Sequence, residues 1–174
     1  AAGQHATWDI SQAEVEIEDA SAAKTEAQAA ADESKATYEA YKESLSETRQ
    51  APIAGGYNLT ARYGDTGGNW SSGMHTGLDF ACPSGTTVSA AASGTVVSAG
   101  WAGAYGNQIV IEHDDGYTTT YSHLSSINVN VGEEVSTGDK IGEVGSTGNS
   151  TGAHLHFEVL KGEQQIDPEA WLGW

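Results

Sequence analysis

The chain is 174 residues long and carries 24 acidic against seven basic residues, a formal net charge of −17. That length holds one domain of roughly 120 residues with a real core plus an appendage, and the charge repels nucleic acid and anionic membrane surfaces, so neither is expected as a partner. No stretch is long and apolar enough for a membrane span, and the single cysteine, Cys82, excludes an intrachain disulfide and a thiolate zinc knuckle.

Residues 1–50 are built from Ala, Glu, Lys, Ser and Thr, with no glycine after Gly3 and no proline before Pro52. Ser11-Gln12-Ala13-Glu14 reads as a capping box, with Ile10 and Val15 placed as a hydrophobic staple, so a helix is expected to start at Ser11. Running to about Gln50 it would be roughly 58 Å long at 1.5 Å per residue, which calls for support. A 3,4-spaced stripe suggests that support: Ile10, Ala13, Ile17, Ala20, Lys24, Ala27, Ala31, Ser34, Tyr38, Tyr41 and Leu45. Such a stripe argues for a coiled-coil-like helix. The partner, through residues 10–48, is a second copy, another protein or an upstream helix, and the segment is a stalk, a dimerisation arm or an inhibitory arm.

Residues 51–56, Ala-Pro-Ile-Ala-Gly-Gly, form the boundary, since proline ends the helix and the glycines let the chain turn. From 57 to 174 the pattern is mainly β, with strands expected at Thr86–Ala90, Gly94–Ala99, Asn107–His113, Tyr117–His123, Ile127–Val131, Lys140–Val144 and His154–Leu160. Tight glycine-bearing turns such as Asp114-Asp115-Gly116 make the sheet antiparallel. Cys82, beside Phe80-Ala81 and Pro83, reads as a small buried hydrophobe. His113, at the hairpin, and His5, ahead of the helix, read as surface histidines. The chain starts at Ala1 without a visible signal peptide, so its compartment is inferred from function.

The chemistry concentrates in Gly148-Asn-Ser-Thr-Gly-Ala-His154-Leu-His156-Phe-Glu158, a loop feeding a strand. Alternation aims His154 and His156 from one face, with Leu155, Phe157 and Val159 on the other. Glu158 shares the histidine face and is placed to orient a ligand imidazole from behind. His75 and Asp79 add a histidine and a carboxylate four apart, and His123 closes a Thr/Tyr-rich strand. Imidazole and carboxylate are the ligands zinc takes when no thiolate is offered, and a catalytic zinc keeps three protein ligands and one open position.

In this order the motifs resemble the lysostaphin-type zinc peptidases, which cut peptidoglycan cross-bridges. The resemblance rests on Gly73-Met-His75 to Asp79-Phe80, Ser84-Gly-Thr-Thr-Val88 with Gly94-Thr-Val-Val97, Tyr105-Gly-Asn107, His123-Leu124, and Gly145-Ser-Thr-Gly148 to Phe157, covering about residues 52–171. It implies an antiparallel sheet with an active-site groove walled by loops, and one zinc per chain held by His75, Asp79 and His156. His123 and His154 would stand near without ligating. With no HExxH helix to supply a glutamate base, those two histidines must take the proton and stabilise the oxyanion, in either order. Asn107 matches the family pattern and reads as structural. The segment 57–74 does not align cleanly, so Tyr57 and Tyr63 receive no role, though Tyr63 and Trp70 sit on a loop expected to flank the substrate. The expected function is a zinc endopeptidase of peptidoglycan cross-bridges, cutting a glycine bridge or a direct D-Ala cross-link, in the cell envelope or secreted by a bacterium. The alternative is a non-catalytic or latent relative that regulates a cell-wall hydrolase through its groove or coiled coil.

Overall fold

The computed structural model describes residues 2–46, 49–68, 70 and 72–174, in two compact units that divide between Ser44 and Leu45. The first is helix α1, Ala2–Ser46, 45 residues long. It starts well before the expected Ser11, which is interior to the helix; residues 2–10 contain no proline to stop the helical backbone. The staple side chains Ile10 and Val15, and Ser11 itself, lie outside the described side chains, as does His5. Residues 47 and 48, in the expected last turn, lie outside the described residues. Every stripe residue from Ile17 to Tyr38 is exposed, Ile17 by 68%.

The second unit is an antiparallel sheet of ten strands. In chain order they are β1 Asn58–Ala61, β2 Leu78–Ala81, β3 Thr87–Ser89, β4 Gly94–Trp101, β5 Asn107–Glu112, β6 Tyr117–Ile127, β7 Glu134–Val135, β8 Lys140–Val144, β9 His154–Lys161 and β10 Gln164–Ile166. The main order is β1-β2-β9-β6-β5-β4-β7, with β8 bridging β6 to β3 and β10 on β9. A short helix α2, Pro168–Leu172, follows; Asp167 caps it by accepting from Glu169 N–H at 2.9 Å.

Strand β9 decides the layout. Leu155, Phe157 and Val159 are fully buried together with Leu78 and Phe80 of β2 and Tyr121 of β6, forming the core side. Each such side chain contributes roughly 1.5–3 kcal/mol by leaving water. The residues between them, Asp79, His156, Glu158 and Ser122, fall on the opposite side, with Asp79 paired to His156 and His156 to Ser122 in register.

Three expectations are corrected. The strand expected at Ile127–Val131 is absent: β6 runs on to Ile127, and Asn130 instead turns its N–H to the Glu133 carboxylate at 2.9 Å. β1, β2, β7 and β10 are strands that the sequence reading does not predict. His113 is no surface histidine: it is buried, bonding Ser93 O through Nδ1 at 2.8 Å and Thr119 Oγ1 through Nε2 at 2.9 Å, with the Trp171 ring packed on it. Burial holds its pKa below the ordinary histidine value, partly offset by the Ser93 hydrogen bond. Cys82 is free and buried.

Residues 49–53 pack onto this unit. Gln50 N–H donates to Ala91 O and Ser89 N–H to Pro52 O, both at 2.9 Å, and Ile53 is 1% exposed. The Arg49 guanidinium lies 4.4 Å over the Trp171 ring and pairs with Asp115 at 2.6 Å.

Candidate metal centre

The paired strands β2 and β9 bring Asp79 beside His156, and the irregular segment before β2 delivers His75. Gly77 permits the approach: a Cβ there would lie 2.4 Å from Phe157 O and 3.0 Å from His156 Cε1, so any side chain would push β9 away. The segment is pinned by Gly64 N–H to His75 O at 2.9 Å and His75 N–H to Asp65 O at 2.8 Å. Asn69 and Ser71, in the expected loop Tyr63–Met74, lie outside the described residues.

Three donor atoms converge. His156 Nδ1 is 2.7 Å from Asp79 Oδ1, His75 Nε2 is 3.1 Å from Asp79 Oδ1, and the two imidazole nitrogens are 3.1 Å apart. The far nitrogens fix the tautomers. His75 Nδ1 faces Arg62 O at 3.1 Å and His156 Nε2 faces Glu158 Oε1 at 3.1 Å; both oxygens accept, so both far nitrogens carry the proton. The near nitrogens then turn lone pairs toward each other and toward a carboxylate oxygen. Acceptors packed this closely need a cation or extra protons between them. Tetrahedral zinc with ligands at about 2.0–2.2 Å wants them roughly 3.3 Å apart, so the triangle matches with a slight opening. With protons alone in the gap, burial lowers the His156 pKa, but hydrogen bonds to Asp79 and Glu158 outweigh it and push it up to about 9. Burial acts to raise Asp79, yet hydrogen bonds from His156 and His75 hold it well below the usual carboxylate range.

His123 reaches the same place by a different route. Tyr121 is core-facing, so strict alternation would send His123 to the core as well. β6 carries a bulge instead: Tyr121 pairs with Ile109 and Leu124 with Asn107, leaving Ser122 and His123 opposite Gln108 alone. The extra residue restores Leu124 to the core and turns His123 to the site, at the point where β6 leaves β9 for β8. Its backbone pays for the turn with φ of 64°, the one non-glycine residue at positive φ among those described. The His123 ring centroid is 4.8 Å from that of His154 and 6.1 Å from that of His156.

The loop between β8 and β9 orients both of these histidines. His123 Nδ1 donates to Thr147 O at 2.7 Å and His154 Nδ1 to Gly152 O at 2.8 Å. Each Nε2 is left for the site, and that of His154 lies 4.0 Å from Asp79 Oδ1. Burial, partly offset by the Thr147 hydrogen bond, keeps the His123 pKa below its ordinary value and the ring neutral. The loop is locked in turn. Asn149 N–H donates to Ala104 O at 2.7 Å, Thr147 Oγ1 accepts from Asn107 N–H at 3.1 Å, and a Cβ on Gly148 would lie 2.3 Å from Gly106 N. Asn107 donates its side-chain amide to Leu124 O at 3.1 Å, a structural contact beside His123.

Tyr63 donates to Gln165 O at 3.1 Å, which anchors its loop, and Tyr57 packs edge-on against Phe80. The Trp70 ring stands 5.2 Å from that of His75. Tyr105, given no role from sequence, stacks on His156 with ring centroids 6.0 Å apart; only its place in the Tyr-Gly-Asn motif signals it. Burial and the nearby Glu158 carboxylate push its hydroxyl pKa up.

A family model described as Peptidase family M23 matches residues 73–168. The DD-carboxypeptidase/endopeptidase Mpg of Neisseria meningitidis is 46% identical over 95 residues, 55% of this chain and 22% of that protein. The peptidoglycan DD-endopeptidase ShyA of Vibrio cholerae is 46% identical over 86 residues, 49% of this chain and 20% of that protein. The chain thus spans about a fifth of the length of these curated relatives. Among solved structures, the catalytic domain of the antimicrobial peptidase lysostaphin from Staphylococcus simulans superposes with a TM-score of 0.65 at 40% identity, over 68% of this chain and 93% of that one.

Proposed function

The chain belongs to peptidase family M23, and from that membership we propose that it is a zinc-dependent endopeptidase acting on the peptide cross-links of bacterial peptidoglycan. The observation that carries this reading is the triangle of His75 Nε2, Asp79 Oδ1 and His156 Nδ1, whose edges are 2.7–3.1 Å, with two further histidines beside it. The relative named a peptidoglycan DD-endopeptidase, together with the likeness to the lysostaphin catalytic domain, supports the substrate class. A substrate of that kind puts the enzyme in the bacterial envelope or outside the cell. Among the described residues no helix is long and apolar enough to cross a membrane.

In this reading His75, Asp79 and His156 hold the metal. A zinc ion there supplies Lewis acidity, bringing the pKa of a water toward neutrality and polarising the scissile carbonyl. His123 and His154 do the proton work. Each is fixed through Nδ1 to a backbone carbonyl, which leaves Nε2 for the site, so one in its neutral form accepts the proton of the attacking water. Once protonated it returns that proton to the leaving amine, and the other histidine stabilises the oxyanion in its protonated form, in which Nε2 carries a hydrogen to donate. No carboxylate base is needed, which suits a chain without an HExxH helix.

The test is elemental analysis of the purified chain together with digestion of two defined muropeptides, one joined by a glycine bridge and one by a direct D-Ala cross-link. One zinc per chain and new amino termini from at least one substrate are expected. A zinc-loaded chain that releases no new termini from either substrate or from whole peptidoglycan overturns the proposal.

A further inference from the structure

Glu158 sits two residues beyond His156 on the same side of β9 and is only 3% exposed. A carboxylate buried this deeply costs several kcal/mol unless it is compensated. Among the described residues no lysine or arginine pairs with it. Its partners are His156 Nε2 at 3.1 Å on Oε1, the Thr76 hydroxyl donating to the same oxygen, and the Thr120 hydroxyl donating to Oε2 at 3.5 Å. Thr120 is its register neighbour on β6, so the sheet itself fixes that contact.

We propose that Glu158 is the positioning residue of the metal centre, holding His156 in the tautomer that presents Nδ1 to the metal and drawing on its Nε2–H to make the imidazole a stronger ligand. The inference rests on the metallopeptidase reading and adds a residue to it. Glu158 has its charge stabilised by Thr76 and Thr120, hands it through the His156 ring, and so adds a second buried negative charge to that of Asp79 at one remove. Removing a carboxylate from behind a ligating histidine weakens metal binding by about 10–100-fold in general.

The experiment measures zinc affinity by competition with a chelator in the full chain, comparing the parent with Glu158→Gln, Thr76→Val and, as an exposed control, Glu163→Gln. Circular dichroism checks the fold of each. Glu158→Gln keeps the shape and one acceptor but not the charge, so its zinc dissociation constant should rise about 10–100-fold, while Glu163→Gln matches the parent. Thr76→Val, which leaves the charge and removes one of its donors, should fall between them, and it carries the test if Glu158→Gln does not fold. Nitrogen NMR of the zinc-loaded parent should show the His156 proton on Nε2. Parent-like affinity in every folded variant at Glu158 and Thr76, or a His156 proton on Nδ1, overturns the role of Glu158 and leaves the metal centre intact. A parent chain that binds no zinc overturns the metallopeptidase reading, and this inference with it.

Discussion

The two sides of the β2–β9–β6 region obey different rules although they are made of alternate residues of the same strands. On one side Leu78, Phe80, Tyr121, Leu155, Phe157 and Val159 are all fully buried, and their contribution is non-directional: volume and apolarity decide it. On the other, Asp79, His154, His156 and Glu158 are each held by named atoms at hydrogen-bond distance. The anchors of the histidines on that side are carbonyls of loops or a carboxylate, not neighbouring apolar surface. The core side makes the sheet, and the site side spends that stability on packing acceptors against acceptors and on a left-handed histidine. Mutations should therefore separate cleanly into those that unfold and those that only disarm.

The largest effect is expected at the metal triangle. His75→Ala, Asp79→Ala and His156→Ala each leave two ligands, too few for a tight zinc site, so elemental analysis should find the metal lost and cleavage gone, with the fold kept. Full zinc occupancy in all three would break the comparison at its first step. Next comes Phe157→Ala on the core side, which should cost about 3–5 kcal/mol of stability by denaturant titration while the zinc ligands keep their identity. A Phe157→Ala chain that is as stable as the parent would mean that the core does not pay for the site.

How far this division was readable from sequence follows from the residues themselves. The β9 face was legible because His-Leu-His-Phe-Glu-Val alternates without interruption, and alternation is a local property. His123 was legible only as a motif residue. Its route to the site depends on a bulge opposite Gln108 and on a change of strand partner, neither of which leaves a local mark. His113 was misread because its neighbours are turn residues, whereas the ring that covers it, Trp171, arrives from the far end of the chain. β2 went unread because Leu-Asp-Phe-Ala is too short to show a period by itself. The α1 stripe is a different case: its 3,4 spacing is real, and from Ile17 to Tyr38 it is exposed in the single chain, since periodicity reports where apolar groups point and not what covers them. The capping box misled for a similar reason, as capping residues mark a start only when the preceding chain is not itself helical.

Within the site side, the two supporting histidines should separate chemistry from metal binding. His123→Ala and His154→Ala are expected to keep one zinc per chain and lose at least about a hundredfold in kcat/KM on a defined muropeptide, roughly 2.7 kcal/mol of transition-state stabilisation. Either variant cleaving at the parent rate would remove that histidine from the mechanism.

The smallest effect probes what the site costs the fold. His123 sits at φ of 64°, where an L-residue with a Cβ is disfavoured by roughly 1–2 kcal/mol and glycine is not. Replacing it by alanine removes the imidazole but keeps the strain, whereas glycine removes both. Glycine also gains freedom in the unfolded chain, which takes back roughly 0.5–1 kcal/mol. The net expectation is that zinc-loaded His123→Gly is the more stable of the two by about 0.5–1 kcal/mol in denaturant midpoint, with both equally inactive. At Leu155, a core-side position with extended backbone, the order should invert, because glycine there loses strand conformation without relieving anything. If alanine is as stable as glycine at position 123, the bulge carries no strain and the site side costs the sheet nothing there. If the two positions do invert, the same substitution pair has read opposite signs from opposite sides of one sheet, and the strain at His123 is the cost of turning a core-bound residue toward the site.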